Sequence, residues 1–322
     1  MRILFIGHTR IGDAVLSSGL VDHLARSTPG ARITVACGAL PAPLFARAPG
    51  VERVLPMVKQ RRGLHWPLLW RAVVGTRWDL TVDLRRSVIP WLVRARRRAA
   101  LPRAAAPDEH RVVHMARTLG LGATPPAPRL WTDAADEAEA ARLLPPGPPL
   151  LGIGPTANWR GKTWRAECFA ELVARLTAPR GPLPGARVAV FGAPAERAAA
   201  APVLDALPAA RRVDLVGTIG LPVVAACLSR LALYVGNDSG LMHMAAAAGT
   251  PTLGLFGPSR PAHYAPWGAR AAWVGTSKGY DELVGGPGYD HRATDTLMDS
   301  LTVDAAEAAT LALWRRVRGE AA

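Results

Sequence analysis

Residue types that could bind phosphate occur together in the stretch VGNDSGLMHMAAAAGTPTLGLFGPS, residues 235–259. Its pattern predicts a strand, a polar turn (NDSG, 237–240) that opens an Ala-rich helix, and a second strand over 252–256. A turn at the carboxyl end of a strand can present helix N-cap groups and free backbone N–H groups to a phosphate. Gly240 would let a ligand come close to the backbone. Taken alone, the same pattern also fits an ordinary helix cap in an α/β protein.

The elements that must position this turn form two alternating series of strands and helices. In the first series, an apolar run predicts a strand at 2–7, and apolar residues at near-helical spacing predict a helix at 13–26. Further strands are predicted at 33–36, 51–55 and 80–84. This alternation indicates a mostly parallel, doubly wound sheet.

The run PPGPP at 145–149 is the best candidate for a linker between domains. A second α/β series follows it, with strands predicted at 150–153, 186–191, 215–216, 233–235 and 252–256. The sequence therefore predicts an N-terminal domain over 1–147 and a C-terminal domain over 148–302. The last segment, 303–322, is expected to be a helix that packs back on the N-terminal domain.

Composition and charge limit the class of protein. With 322 residues, 49% of them hydrophobic and 20% charged, the chain is typical of a globular protein rather than a disordered one. Its 39 Lys and Arg against 25 Asp and Glu give a net charge of +14. This charge favours an acidic partner such as nucleic acid, an anionic membrane or a phosphorylated substrate, or else reflects Arg-rich solvated faces.

Several classes of site and segment are not supported by the sequence. The three cysteines are far apart, which predicts neither disulfides nor a zinc site. The chain has no secretory signal pattern and no apolar run long enough to span a bilayer, so we expect a cytosolic protein that rests on a membrane surface. It contains neither a P-loop nor a convincing G-x-G-x-x-G motif, and no basic-aromatic module typical of nucleic-acid binding.

Four segments together resemble glycosyltransferase family 9, whose best-known members are the ADP-heptose:lipopolysaccharide heptosyltransferases. They are RILFIGHTRIGDAVLSSGLVDHLARSTPGARITV, GIGPTANWRGKTWRAECFAELVARL, FGAPAER and GNDSGLMHMAAAAGTPTLGLFGPS, and the resemblance covers nearly the whole chain. It implies a GT-B fold of class α/β, in which two Rossmann-like doubly wound domains face each other across a cleft. It also implies an inverting, metal-independent transfer, with an ADP-sugar as co-substrate and no cofactor.

The resemblance assigns roles to particular residues. Asp13 matches the catalytic base of the family, although its position would equally suit a residue that only caps the helix. Lys162 matches a lysine that contacts phosphate, and Glu196 a carboxylate that accepts hydrogen bonds from the ribose. The remaining donor-binding positions are Ala157 and Asn158 beside phosphate, Ile219 over the adenine, Asp238 on the sugar hydroxyls, Ser239, Gly240 and Leu241 on phosphate, and His243 on sugar or phosphate.

The acceptor side is indicated by basic clusters in the first domain, interleaved with tryptophans over 59–98. This pattern is typical of a surface that meets anionic sugar acids and lipid phosphates at a bilayer. The resemblance implies that basic side chains here hold the Kdo carboxylates of the lipopolysaccharide inner core. The chain departs from one well-known heptosyltransferase at Gly7, where that protein has a lysine. The predicted acceptor-binding residues are Arg10, Arg61, Arg62, Arg85 and Arg86.

The sequence thus predicts transfer of a heptose-like sugar from an ADP-sugar to a lipid-linked acidic saccharide at the inner face of the inner membrane. One alternative is a family 9-like transferase with another nucleotide sugar and another cell-surface acceptor. Two others are a GT-B nucleotide-sugar epimerase and a non-catalytic protein that binds anionic lipid. Nucleic acid is not expected as a partner.

Overall fold

The computed structural model describes residues 1–285, 289–290 and 295–319. It divides into two compact units, the first ending at Ala134 and the second starting at Ala135. The predicted domain boundary at 147 therefore lies too late in the chain. The reason is that Ala140 and Leu144 are buried and the Leu144 carbonyl accepts a hydrogen bond from Arg230 Nε at 3.3 Å, which ties this segment to the second unit.

The first unit contains a parallel five-stranded sheet in the order β3-β2-β1-β4-β5. This is a Rossmann-like order, and its direction reverses between β1 and β4, the point where ligands bind such sheets. Its strands are β1 Arg2–Ile6, β2 Arg32–Gly38, β3 Val51–Met57, β4 Trp78–Asp83 and β5 Ala95–Ala100. Its helices are α1 Ile11–Ser27, α2 His65–Val73, α3 Ile89–Leu92 and α4 Arg111–Ala116.

Strand β5 was not predicted, because its sequence, ARRRAA, has no apolar run. It pairs with β4 alone and forms one edge of the sheet. Charged side chains are tolerated at such an edge, where they also discourage pairing with another chain. The other four strands of this sheet match predicted segments, because a parallel sheet covered on both faces needs nearly continuous hydrophobic segments.

The second unit contains a parallel six-stranded sheet in the order β11-β10-β9-β6-β7-β8. When the six strands are numbered in chain order, this is again the Rossmann arrangement, and the strand order reverses between β6 and β9. The strands are β6 Leu150–Gly154, β7 Arg187–Gly192, β8 Arg212–Val216, β9 Leu233–Asn237, β10 Thr252–Phe256 and β11 Ala271–Gly275. The helices are α5 Ala134–Leu143, α6 Ala166–Leu176, α7 Arg197–Ala206, α8 Leu221–Ser229, α9 Gly240–Ala247, α10 Pro261–Tyr264, α11 Tyr280–Val284 and α12 Val303–Arg318.

Helix α12 packs on the second unit, which corrects the prediction that the C-terminal helix packs back on the N-terminal domain. Its buried side chains Val303, Ala306 and Leu313 belong to the same core as strands β6 and β7. Arg175 of α6 also bonds to Asp304 at 2.6 Å and to Glu307 at 2.8 Å. The apolar face of α12 therefore completes the core of this unit. Residues 320–322 of the predicted segment lie outside the described residues.

Three further features concern candidate sites and membrane spans. The cysteines are free, and burial raises the pKa of both Cys37 and Cys227 to about 12. Across the described residues, no cluster of three or more His, Cys, Asp or Glu side chains is arranged to hold a metal ion. Within the same part of the chain, no helix combines the length and apolar character needed to cross a bilayer.

Candidate functional site

The predicted donor-binding residues gather at the carboxyl edge of the second sheet. The loop after β6 carries Lys162, and the turn after β9 carries Asp238 and Ser239. Because β6 and β9 are neighbours, these two segments meet at the reversal point of the strand order. Glu196 follows β7 and Ile219 follows β8, farther along the same edge.

Lys162 and Asp238 form an ion pair at the centre of this edge. The distance from Lys162 Nζ to Asp238 Oδ2 is 2.5 Å, and the two side chains are 22% and 7% exposed. His243 Nε2 lies 3.9 Å from the other carboxylate oxygen, Asp238 Oδ1. A phosphate ligand would therefore meet a lysine whose position is already set by a buried carboxylate.

Asn237 joins the two segments and was not predicted as a functional residue. Its Oδ1 accepts a hydrogen bond from Trp164 N at 3.1 Å, and its Nδ2 donates to the Pro155 carbonyl at 2.8 Å. The side chain is fully buried, so both bonds are shielded from water. Asn237 thereby clamps both ends of the loop that carries Lys162. The sequence does contain a signal for this role, because Asn237 is a polar residue at the end of an apolar strand and belongs to the turn at 237–240.

Helix α9 begins directly after this turn, with Ser239 in the N-cap position. The Ser239 side chain makes no capping bond, and its Oγ is buried without a hydrogen-bond partner. This differs from an ordinary helix cap, in which the serine oxygen accepts a bond from the first turn. The hydroxyl and the first N–H groups of α9 are therefore available to an anion.

Tyr234 occupies the floor beneath this turn. A Cβ added at Gly154 would lie 1.9 Å from the Tyr234 hydroxyl oxygen, and one added at Gly236 would lie 2.7 Å from it. The two glycines on neighbouring strands therefore make room for the phenol. Burial raises the pKa of Tyr234 above its ordinary range, and the nearby Glu196 carboxylate raises it further.

The Glu196 carboxylate is held in place by hydrogen bonds from other residues of the second unit. Its Oε2 accepts a hydrogen bond from Thr156 Oγ1 and another from Ala193 N, both at 2.8 Å. Thr156 belongs to the same loop as Lys162, so the carboxylate predicted to meet the ribose is tied to the loop predicted to meet phosphate. Of the other predicted donor residues, Asn158 is exposed, whereas Ala157, Ile219, Gly240 and Leu241 are half-buried.

Asp13 lies in the first turn of α1, beyond the carboxyl end of β1. The N-cap position is occupied by Arg10 rather than by Asp13, and Asp13 Oδ1 is buried without a hydrogen-bond partner. A carboxylate in the first turn is favoured by the helix dipole. Its buried oxygen is nevertheless not used in capping, so it can accept a proton or a hydrogen bond.

His8 was missed by the sequence analysis and lies beside Asp13 at the reversal point of the first sheet. Ile6 is in register with Asp83, so His8 and Arg85 each follow neighbouring strands by two residues. Burial lowers the pKa of His8, Asp13 opposes this effect, and Arg111 and Arg85 lower the pKa further. The environment of His8 therefore favours the neutral form of its side chain within a set of charged groups.

The turn after β4 shapes the basic side of this edge. Asp83 accepts hydrogen bonds from Arg85 N at 2.8 Å and from Ser87 N at 2.6 Å. Arg86, between them, has a φ of 51°, which is uncommon for a residue with a side chain. The Arg85 guanidinium lies 5.5 Å from the centre of the Trp66 ring. Asp83 therefore stabilises a turn that directs the two arginines differently, Arg85 half-buried and Arg86 exposed.

The remaining predicted acceptor residues are also placed around this edge. Arg10 is exposed just before α1, while Arg61 and Arg62 are exposed in the short turn after β3. In the sheet order, β3 is separated from β1 by β2. Arg61 and Arg62 thus follow a strand two positions away from that of Asp13.

Comparisons with known proteins show which family this chain resembles. The family model described as glycosyltransferase family 9 (heptosyltransferase) matches residues 72–283. Lipopolysaccharide heptosyltransferase 2 of Salmonella typhimurium is 28% identical to this chain over 323 residues, covering 88% of this chain and 90% of that protein.

Two solved structures share the fold. The family 9 glycosyl transferase from Veillonella parvula matches with a TM-score of 0.81 and 18% identity, covering 97% of each chain. The ADP-heptose lps heptosyltransferase II of E. coli matches with a TM-score of 0.77 and 22% identity, covering 99% of this chain and 100% of that one. The predicted GT-B class, with two Rossmann-like units, is thereby confirmed.

The family model spans well over half of the chain, and it includes the edge of the second sheet where the predicted donor-binding residues lie. The resemblance inferred from four sequence segments is confirmed. This chain belongs to glycosyltransferase family 9, the heptosyltransferase family, and is a glycosyltransferase.

Proposed function

We propose that this enzyme transfers a heptose-like sugar from an ADP-sugar to an acidic saccharide, Kdo or heptose, of the lipopolysaccharide core. The names of its relatives support this reaction, since they specify ADP-heptose and lipopolysaccharide. The observation that carries the proposal is the Lys162–Asp238 pair beside the N-terminus of α9, at the reversal point of the second sheet.

The donor diphosphate is bound by this edge without a metal ion. Lys162 supplies a positive charge, and the N–H groups at the start of α9, with Ser239 Oγ, supply hydrogen bonds. The Asp238 carboxylate then accepts hydrogen bonds from sugar hydroxyls in place of the Lys162 ammonium. Glu196 accepts from the ribose, and Ile219 covers the adenine.

The chemical step is a single displacement with inversion. The oxygen of an acceptor hydroxyl attacks the anomeric carbon while Asp13 takes the hydroxyl proton. The bond from that carbon to the β-phosphate oxygen breaks, and its electron pair leaves with ADP. General-base catalysis of this kind contributes about 10²- to 10⁴-fold in rate. Lys162 and the α9 N-terminus stabilise the charge that develops on the leaving oxygen.

The acceptor is held by the basic side of the first unit. Arg85 and Arg10 lie close to Asp13 in the fold, and they bind carboxylate groups of the acidic sugar. Because such an acceptor is carried on a lipid, we also propose where in the cell the enzyme works. The enzyme works at the cytoplasmic face of the inner membrane as a peripheral protein.

The test measures ADP release from ADP-heptose, with and without Kdo-lipid A, for the parent and for Asp13→Asn. We expect release that depends on the acceptor and falls at least about 100-fold in the variant. Asp22→Asn is the matched control, because Asp22 lies on the same helix and pairs with Arg26 at 2.9 Å instead of facing the sheet edge.

Acceptor-dependent release that survives in Asp13→Asn would contradict the role of Asp13 as base. Absence of release with this pair of substrates, together with release from another nucleotide sugar, would contradict the donor assignment. Free epimerised nucleotide sugar without transfer would instead identify an epimerase.

A further inference from the structure

The first unit exposes an apolar surface on α2 and α3 that the proposed reaction does not use. The side chains Trp91, Val88 and Leu92 are 75%, 63% and 54% exposed, although all three are large and apolar. Leu64, in the N-cap position of α2, and Leu68, on that helix, are 54% and 52% exposed. We name these residues, with Trp70 and the arginines of β5, the α2–α3–β5 surface.

The two helices of this surface are joined by a hydrogen bond. Trp70 Nε1 of α2 donates a hydrogen bond to the Leu92 carbonyl of α3 at 3.1 Å. The inner sides of both helices pack into one core, to which α2 contributes Leu69 and α3 contributes Ile89. Both helices therefore cover the same face of the sheet, and their outer sides are presented together.

The exposure of Trp91 is built into the fold. Arg98 of β5 donates through Nε to the Pro90 carbonyl at 2.7 Å, and its guanidinium lies 5.3 Å from the centre of the Trp91 ring. The indole is thus supported from one side and open on the other. Because Arg98 contacts both the Pro90 carbonyl and the Trp91 ring, the outward position of Trp91 is a stable feature of the fold.

The same region accounts for most of the net positive charge of the chain. Residues 58–107 contain twelve Lys or Arg and two Asp, out of a net charge of +14 for the whole protein. Asp83 is fully buried, and Asp79 accepts a hydrogen bond from Arg2 N at 2.8 Å. Arg96, which is 86% exposed, has Asp79 at 4.0 Å as its ion-pair partner, and the basic side chains of this region still outnumber its carboxylates.

We propose that the α2–α3–β5 surface docks on an anionic phospholipid bilayer, with Trp91 and Leu92 inserted among the headgroups. Tryptophan side chains are favoured at the membrane interface, and the surrounding arginines are attracted by the negative surface potential of anionic lipids. The aliphatic side chains on α2 add apolar area, as in helices that lie in the interface plane. An aqueous protein partner would not require this combination of interfacial aromatic residues and a broad positive field.

The biological purpose of this docking rests on the proposed reaction, because docking would bring the enzyme to a lipid-linked acceptor. The segment that carries Val88 follows β4, at the same edge of the sheet where Asp13 follows β1. A bilayer held against Val88 and Trp91 therefore lies beside the edge that carries the proposed base. A lipid-linked acceptor would reach that edge without leaving the membrane.

The experiment measures sedimentation of the full chain with vesicles of phosphatidylglycerol and phosphatidylethanolamine, and with vesicles of phosphatidylcholine. We expect binding to the anionic vesicles that weakens with salt. The double variant Trp91→Ser/Leu92→Ser should bind them at least about tenfold more weakly. Arg96→Gln/Arg97→Gln should lose about fivefold for each arginine removed.

Matched controls are available in the second unit. Trp273→Ser removes a tryptophan that is 51% exposed on β11, and Arg180→Gln/Arg315→Gln removes two exposed arginines. These variants should bind the vesicles like the parent. Far-ultraviolet circular dichroism and urea unfolding of every variant verify that both units are folded.

The parent failing to bind anionic vesicles, or the Trp91 and Arg96 variants binding like the parent, would overturn the proposal. A parent dimer that dissociates in the Trp91→Ser/Leu92→Ser variant without lipid would assign the surface to a second copy instead. Vesicle binding is measured without any sugar substrate, so it stands even if no heptose transfer is found. Conversely, transfer to a delipidated acceptor by a protein that ignores vesicles would leave the proposed reaction intact and reject the docking surface.

Discussion

At the scale of single residues, the predicted donor-binding edge contains a buried charge pair. Asp238 is 7% exposed and has Lys162 as a partner at 2.5 Å. Removing one partner of a buried pair leaves the other charge without compensation, which is costly. The two residues must therefore be tested together.

We expect Lys162→Ala to lower kcat/KM for the ADP-sugar about 10- to 100-fold, the loss of a hydrogen bond to a charged group. The chain should also lose stability, because Asp238 is left buried and unpaired. The double variant Lys162→Ala/Asp238→Asn should recover the stability and not the activity. Steady-state kinetics with the ADP-sugar and urea unfolding measure the two effects, and calorimetric titration measures ADP affinity. Unchanged ADP affinity in Lys162→Ala would count against the phosphate role.

His8 provides a prediction on pH. Its pKa in the folded protein is lowered by burial, whereas an unfolded histidine titrates at about 6.5. The unfolded chain therefore binds more protons below that pH, so stability falls as the pH is lowered through about 6.5. Asp13, Arg85 and Arg111 are the charged groups around it.

We expect His8→Gln to lose less stability than the parent when the pH is lowered from about 7.5 to about 5.5, because its side chain does not titrate. Urea unfolding at several pH values measures this difference. His23→Gln, on α1, is the comparison variant. Identical pH profiles for the parent and His8→Gln would refute the explanation.

At the scale of elements, the floor of the donor edge is set by how β6 packs beside β9. Gly154 of β6 leaves space for the Tyr234 hydroxyl of β9, which would lie 1.9 Å from an added Cβ. Overpacking of this kind costs about 1–3 kcal/mol. The position thus requires glycine for close approach rather than for an unusual backbone angle.

Gly154→Ala is therefore expected to lower the free energy of unfolding by about 1–3 kcal/mol. In a Tyr234→Phe background the cost should be smaller, because the atom nearest to the new methyl group is gone. Thermal or urea unfolding of the four proteins in this cycle measures the coupling. Equal costs in both backgrounds would mean that the hydroxyl is not the obstacle.

At the scale of the whole molecule, each unit is described by its own core. The second core includes Trp164, Phe169 and the buried face of α12. A separate core in the first unit includes Leu69, Trp78 and Ile89, all from its own elements. Damage to α12 should thus remain in the second unit, which carries the predicted donor-binding residues.

We expect a chain truncated after Leu301 to lose ADP binding, whereas the milder Leu313→Ala lowers stability by about 2–5 kcal/mol. Amide hydrogen exchange should accelerate in β10 and β11, which contact α12, and remain slow in β1 and β2. Acceleration spread equally over both sheets would show that the two cores do not unfold separately.

The sequence by itself determined the features that depend only on residues close together in the chain. Buried parallel strands are short apolar runs, so β1, β6 and β10 were predictable, and so was the polar turn after β9. The four family segments were enough to assign glycosyltransferase family 9. Local patterns failed at the edge strand β5, whose three consecutive arginines give no hydrophobic signal.

The tertiary structure decided what depends on distant residues meeting. Sequence periodicity shows that α12 has an apolar face but not which core it covers, and the packing assigns it to the second unit. The clamp by Asn237, the space for Tyr234 and the place of His8 beside Arg85 all join segments far apart in the chain. The physical reason is that strand order and register, set by packing of the whole sheet, select which loops share an edge.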